Sequence, residues 1–246
     1  MSKKKTTKKV VTTTTTTIEE SNENNKTQIV CVLDASGSMS SMIDEARQSL
    51  NKFLNDQKEL EGDAIVSIVT FSSGHDSNNG YELIRDSISI QDMDEITSED
   101  WYPSNMTALN DAIGKGINDT VYSNKKMKKS ERPNKTLFVI VTDGHENSSR
   151  EYNASQIKNL ITTQEKNDWQ FIYLAANQDA FAVGNNYGIS KGNTMNFMAN
   201  SAGSSAVYDT LNVATANYRT NRLSKTRGAV FSSVVDNTKT LGDDDL

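Results

Sequence analysis

The sequence predicts an α/β fold: a mostly parallel central sheet with one antiparallel edge strand and helices on both faces. Three observations predict it. Short apolar runs bounded by turn residues alternate with longer segments whose apolar residues recur every three or four positions, the signature of strands exchanging with helices. The 246 residues suit one domain of roughly 190 residues plus two tails rather than two domains. Acid-bearing turns follow two of the apolar runs, at Asp34 and Asp143, where ligands gather in sheets of this kind, beyond the carboxyl ends of the strands.

Residues 1–26 are polar, Lys- and Thr-rich and without periodicity, so they read as a disordered tail. The domain is assigned to 27–222, and 223–246 to a flexible C-terminal tail. Gln28–Leu33 (QIVCVL) is the first strand. Met42, Ile43, Ala46, Leu50, Phe53 and Leu54 then share one face of a helix beginning near Met39, which Glu61-Gly62-Asp63 ends. Ala64–Phe71 is a buried strand. The turn chemistry of Ser72–Gly80 predicts that Tyr81–Ile90 returns antiparallel at the edge. An irregular connection, Asp92–Pro103, leads to a helix headed by Thr107, with Leu109, Ala112, Ile113, Ile117 and Val121 on its apolar face.

After a basic loop, Lys125–Lys135, the most apolar strand, Thr136–Val141, belongs in mid-sheet. Ala154, Ile157, Leu160 and Ile161 mark a helix, Trp169–Ala175 a strand, and Gln178–Tyr187 a short helix. Asn193–Ala199 alternates as a last strand, and Val207, Leu211, Ala214 and Tyr218 predict a final helix.

Charge limits the function classes. Five of the 26 basic residues lie among the first nine, which leaves 21 basic against 32 acidic residues from Val10 onward, a net of −11. An acidic body argues against broad nucleic-acid binding, which needs clustered Lys and Arg against phosphate. Cys31 is the single cysteine. It permits no intrachain disulfide, reads as a buried small hydrophobe, and suits a reducing compartment. No apolar stretch is long enough to cross a bilayer, and the expectation is a cytoplasmic protein without a membrane partner.

Chemistry concentrates at three junctions. Asp34-Ala-Ser36-Gly-Ser38 follows the first strand and puts an acid and two hydroxyls on one side of a tight turn, with Gly37 giving the backbone its freedom to fold. Thr107 opens a helix, and Asp143 closes a strand before Gly144. Hard divalent cations take oxygen ligands of this kind. Each residue has a plainer role available. Ser36, Ser38 and Thr107 could cap helices, and Asp143-Gly144 is a common turn pair. Caps, however, do not require an acid at the end of a second strand.

This set resembles the metal-ion-dependent adhesion site of the von Willebrand factor A family: DxSxS, a threonine about seventy residues later, and an aspartate at the end of the fourth strand. Here it reads Asp34, Ser36, Ser38, Thr107 and Asp143, with no member missing. The likeness runs from about Gln28 to about Tyr218, and MTALNDAIG, LFVIVTDGHENSSREY and FIYLAANQDAFAVG look most like intracellular bacterial and bacteriophage members. The resemblance implies a Rossmann-like three-layer sandwich. It also implies a Mg²⁺ or Mn²⁺ ion held directly by the two serine hydroxyls and, in the ligand-bound state, by the threonine hydroxyl, with the aspartates acting largely through water or outside the first set of ligands. A cation with so few charged ligands stays electrophilic and accepts an Asp or Glu carboxylate from a partner protein.

Enzymatic readings lack their residues. HENSSREYN has no second histidine for a zinc-protease HExxH, and His75 and His145 are the only histidines. His145 and Glu146 read as solvated rim residues, with Glu146 shaping the rim. Asp34 is not followed by the second acid of a DxD phosphatase, and neither GxSxG nor GxxxxGK[ST] occurs. The expectation is therefore a non-enzymatic binding module. The competing reading is a nucleic-acid-associated or virion structural protein that uses the basic tail and the loop with Lys125, Lys126, Lys128, Lys129, Arg132 and Lys135.

Overall fold

A computed structural model describes residues 26–73, 80–176 and 178–220. Among these residues six strands form one sheet in the order β3-β2-β1-β4-β5-β6: β1 (Thr27–Asp34), β2 (Ala64–Phe71), β3 (Tyr81–Ser89), β4 (Lys135–Thr142), β5 (Trp169–Ala176) and β6 (Thr194–Phe197). All neighbours are parallel except β2 and β3, so β3 is the antiparallel edge that the turn-rich segment before it predicts. The tails assigned to 1–26 and 223–246 lie almost entirely outside the described residues, as does His75.

The helices are α1 (Ile43–Lys58), α2 (Leu109–Lys126), α3 (Ala154–Glu165), α4 (Ala180–Asn186) and α5 (Ser201–Arg219). Their placement follows from the two-residue period of the strands. Ile29, Cys31 and Leu33 of β1 face one way and pack with Leu50 and Phe53 of α1 and Val207 and Leu211 of α5. Val30 and Val32 face the other way, against Ile113 and Ile117 of α2 and Ile157 and Ile161 of α3. Both faces are thus covered, which is why the central strands are apolar almost throughout. β1 and β4 are buried along nearly their whole length.

Element existence follows the periodic pattern closely, while several ends shift. The helix expected to start near Met39 starts at Ile43, after a 3-10 turn at Gly37–Ser41. Thr107 does not head α2, which begins two residues later. The short helix runs Ala180–Asn186 instead of from Gln178, and β6 is four residues, Thr194–Phe197. α2 extends to Lys126, into the expected loop. Ala154 is exposed rather than apolar contact, because it is the first residue of α3, whose start is fixed by the Asn153–Gln156 capping box.

The sheet order places the site. From β1 the chain builds outward through β2 to β3, and from β4 it builds outward the other way, through β5 to β6. The order therefore reverses between β1 and β4, and a crevice opens beyond their carboxyl ends at such a switch point. Asp34 ends β1, and Asp143 immediately follows β4.

Candidate metal centre

All five sequence-predicted residues converge on that crevice or its wall. Asp34 is fully buried. Its Oδ1 accepts the Ser36 N–H at 2.7 Å, and its Oδ2 accepts the Thr142 hydroxyl at 2.5 Å. The Ser36 and Ser38 hydroxyl oxygens lie 3.0 Å apart, and the Ser38 hydroxyl donates to Asp143 Oδ1 at 2.6 Å. Thr107 joins them beside Gly144. A Cβ built on Gly144 would stand 2.9 Å from Thr107 Oγ1, 3.6 Å from Ser38 Oγ and 3.8 Å from Asp34 Oδ2. Oxygens from two separate segments therefore border one small space that the missing side chain of Gly144 leaves clear, and Asp143, from a third, is bonded to Ser38.

The plainer roles are not the ones these side chains take. Ser36 occupies the N-cap position of the 3-10 turn without a side-chain cap bond. α2 has Ala108, not Thr107, at its N-cap, again without such a bond. Asp143 reaches across to Ser38 rather than closing its own turn. Gly37 serves differently from expectation. Its N–H donates to the Asn105 carbonyl at 2.9 Å, and an added Cβ would sit 3.3 Å from that oxygen. The glycine makes room for a neighbouring loop, and its φ does not lie in the left-handed region.

Burial raises the Asp34 carboxyl to about 6, against the lowering effect of its bonds from Thr142 and Ser36, with Asp143 adding a smaller rise. Burial likewise raises Asp143, opposed by the Ser38 bond. Among the described residues neither acid is salt-bridged to a Lys or Arg. Two buried carboxyl groups with only neutral donors favour a cation between them. The donors suit a hard one: three hydroxyls and two carboxylates, all oxygen. No group of three or more His, Cys, Asp and Glu that could hold a metal occurs among the described residues, so a cation here depends on the hydroxyls.

A supporting frame, not legible in the sequence, fixes these oxygens. Trp101 is fully buried and donates its indole N–H to the Asp34 carbonyl at 2.9 Å. Thr107 N–H donates to Asn147 Oδ1 at 3.0 Å, and Asn147 N–H returns a bond to the Thr107 carbonyl at 3.1 Å. Glu146, expected as a solvated rim residue, is half-buried. Its carboxylate accepts the N–H groups of Asn110, Ser148 and Ser149 and the Ser149 hydroxyl. Asp111 accepts three further N–H groups, from Arg150, Glu151 and Tyr152. The loop after β4 is thereby zipped onto the first turn of α2, where a carboxylate also meets the positive end of the helix. His145 is exposed. The one sequence cue to this frame was the density of short polar residues in Thr142–Ser149.

The von Willebrand factor type A domain profile matches residues 28–220, and the chain belongs to that family. No curated protein matches it in sequence. Among solved structures it is similar to proximal thread matrix protein 1 from the mussel byssus with a zinc-occupied metal-ion-dependent adhesion site. That likeness has a TM-score of 0.54 and 14% identity, and covers 76% of this chain in one form and 78% in the zinc-bound one. A von Willebrand factor type A protein from Catenulispora acidiphila gives 0.54 and 10% over 78% of the chain. Manganese-loaded TRAP protein of Plasmodium vivax gives 0.51 and 12% over 75% of this chain and 72% of its own. The chain spans less than half of the mussel and Catenulispora chains, 48% and 43%. Likeness at such low identity is likeness of fold, and the mixed six-stranded sheet with helices on both faces agrees with it.

The basic loop lies at the other end of the sheet, where α2 ends and β4 begins. Several of its cations are engaged locally. Lys126 stands over the Tyr122 ring, Lys128 pairs with Glu131, and Arg132 donates to the carbonyls of Met127 and Lys125. No helix among the described residues is long and apolar enough to cross a membrane.

Proposed function

We propose that this chain is a metal-dependent protein-binding module. In this reading Ser36, Ser38 and Thr107 hold a Mg²⁺ or Mn²⁺ ion through their hydroxyls, with Asp34 and Asp143 completing its surroundings. A bound divalent ion would supply an electrophilic centre able to take a carboxylate from an Asp or Glu of a partner protein. The chain's own residues prepare for that role. Thr142 and Ser36 orient Asp34, Ser38 bridges to Asp143, and the Asn147–Thr107 pair keeps the threonine aimed at the same space. The observation that carries the reading is the convergence at Gly144 of oxygens contributed by the β1 loop and by Thr107, two residues before α2, beside Asp143, which follows β4.

Family membership, the zinc-occupied site of the mussel protein and the manganese loading of the Plasmodium protein support the reading. The nucleic-acid reading rests on a tail outside the described residues and on a loop in which Lys126, Lys128 and Arg132 have partners among their own neighbours. Calorimetric titration with Mg²⁺ and Mn²⁺ tests the proposal. One site is expected in the wild type and none in Asp34→Ala, with folding kept by the intact core. Equal affinity in the two proteins contradicts the proposal.

A further inference from the structure

Seven large apolar residues stand well exposed among the described residues. Two of them, Tyr102 at 53% and Met106 at 54%, belong to one short segment beside the candidate centre. Isolated exposed apolar side chains are ordinary on protein surfaces. These two sit on an irregular segment whose backbone is tied down by hydrogen bonds to its neighbours. Ser104 N–H donates to the Ala35 carbonyl at 2.6 Å, Gly37 N–H to the Asn105 carbonyl at 2.9 Å, and Met106 N–H to Ser73 Oγ at 3.0 Å. The segment is thus strapped to the turn that carries Ser36 and Ser38. Its base is fixed by buried Trp101, whose indole donates to Asp34 and whose carbonyl accepts Arg47 at 2.7 Å. Between the strap points Asn105 takes a left-handed φ of 53°, a conformation that non-glycine residues adopt infrequently. Met106 directly precedes Thr107 in the chain. The run Trp101–Ala108 (WYPSNMTA) contains no charged residue, although charged residues make up 24% of the sequence.

We infer that the partner segment carries a large apolar side chain next to its acidic residue, and that Tyr102 and Met106 receive it. The inference rests on the metal-dependent reading above. The cation would draw the acid, and the uncharged shoulder beside it offers an aromatic face and a polarisable thioether that adapts to apolar shapes. A basic neighbour would be repelled by the cation, and within Trp101–Ala108 it would find no counter-charge, since the acids next in sequence are Asp100, already paired with Arg85, and Glu99 beyond it. Because the strap is already ordered, little conformational freedom is lost on binding there. Tyr102 and Met106 therefore act as specificity residues, outside the set that holds the metal.

The test uses the full chain and short fluorescein-labelled peptides with a central Glu whose following residue is Leu, Phe, Ser or Lys. Anisotropy is read in Mn²⁺ and in EDTA. The Leu and Phe peptides are expected to bind about tenfold more tightly than the Ser peptide in Mn²⁺, the order of effect of covering one apolar side chain. The preference should disappear in the double variant Tyr102→Ser, Met106→Ser, while calorimetry gives that variant the wild-type Mn²⁺ affinity. Equal binding of the Leu and Ser peptides overturns the inference, as do a preference for Lys, no peptide binding, or an apolar preference that survives the double variant. Failure of the wild type to take up Mn²⁺ is seen separately in the calorimetric arm and overturns the metal reading together with this one.

Discussion

Gly144→Ala probes the centre with a single methyl group. Gly144 is not in the left-handed region, so alanine fits its backbone, and the smaller conformational freedom of unfolded alanine contributes about 0.4–1 kcal/mol of stability. Against this, the new Cβ would lie 2.9 Å from Thr107 Oγ1, and a crowded contact costs about 1–3 kcal/mol. The contact is with a side-chain atom, so a small rotation of Thr107 relieves much of it. Net stability should change by no more than about 2 kcal/mol. Metal binding should change far more. The methyl would occupy the space bordered by Thr107 Oγ1, Ser38 Oγ and Asp34 Oδ2. Mg²⁺ needs its oxygens at roughly 2.0–2.1 Å, which a carbon in the same space forbids. Loss of at least about 100-fold in affinity is expected, roughly 2.7 kcal/mol. Calorimetry with Mn²⁺ reads the affinity, and urea denaturation without metal reads the stability. A Gly144→Ala protein that binds Mn²⁺ as the wild type does would refute the placement of the site.

Two further outcomes follow from the buried groups. Thr142→Val keeps the side-chain shape and removes the hydroxyl that donates to Asp34 Oδ2 at 2.5 Å. It should destabilise the metal-free protein by about 1–3 kcal/mol in urea at neutral pH, and an unchanged midpoint would show that the bond is not formed. Burial pushes the Cys31 thiol up to about 12. A thiol reagent at mildly alkaline pH should therefore find it unreactive in the folded chain and reactive in denaturant. Its folded value lies above the unfolded one, so between about pH 8.5, the free-thiol value, and about 12 the unfolded chain gives up a proton that the folded chain keeps. Stability from this group falls as pH rises through that window. Rapid labelling of the folded protein would place Cys31 outside the core.

The fold was legible because β1, β2 and β4 are apolar runs of strand length and α1, α2 and α5 repeat their apolar residues at helical spacing. The five candidate residues could be picked out because they lie at or near strand and helix ends in a recognisable order, and the fold brings them to one end of the sheet. Their supports were not. Thr142, Trp101 and Asn147 act on Asp34 and Thr107 from 108, 67 and 40 residues away, and sequence spacing carries no signal for a bond that only the folded sheet creates. Glu146 looked like a rim residue because acids are mostly solvated, yet four donors converge on it. Arg219 shows the same limit at the far end of α5. It is only 2% exposed and donates to the Gln57 and Gly62 carbonyls, where composition alone would place it in solvent.

The most direct test of the central claim is anomalous X-ray scattering from crystals of the full chain grown with Mn²⁺. The account predicts one peak at bonding distance from the hydroxyl oxygens of Ser36 and Ser38, close to Thr107 and Asp143, and its loss in Asp34→Ala crystals. A fully ordered crevice with no Mn²⁺ peak, or a peak held elsewhere on the molecule alone, would contradict it.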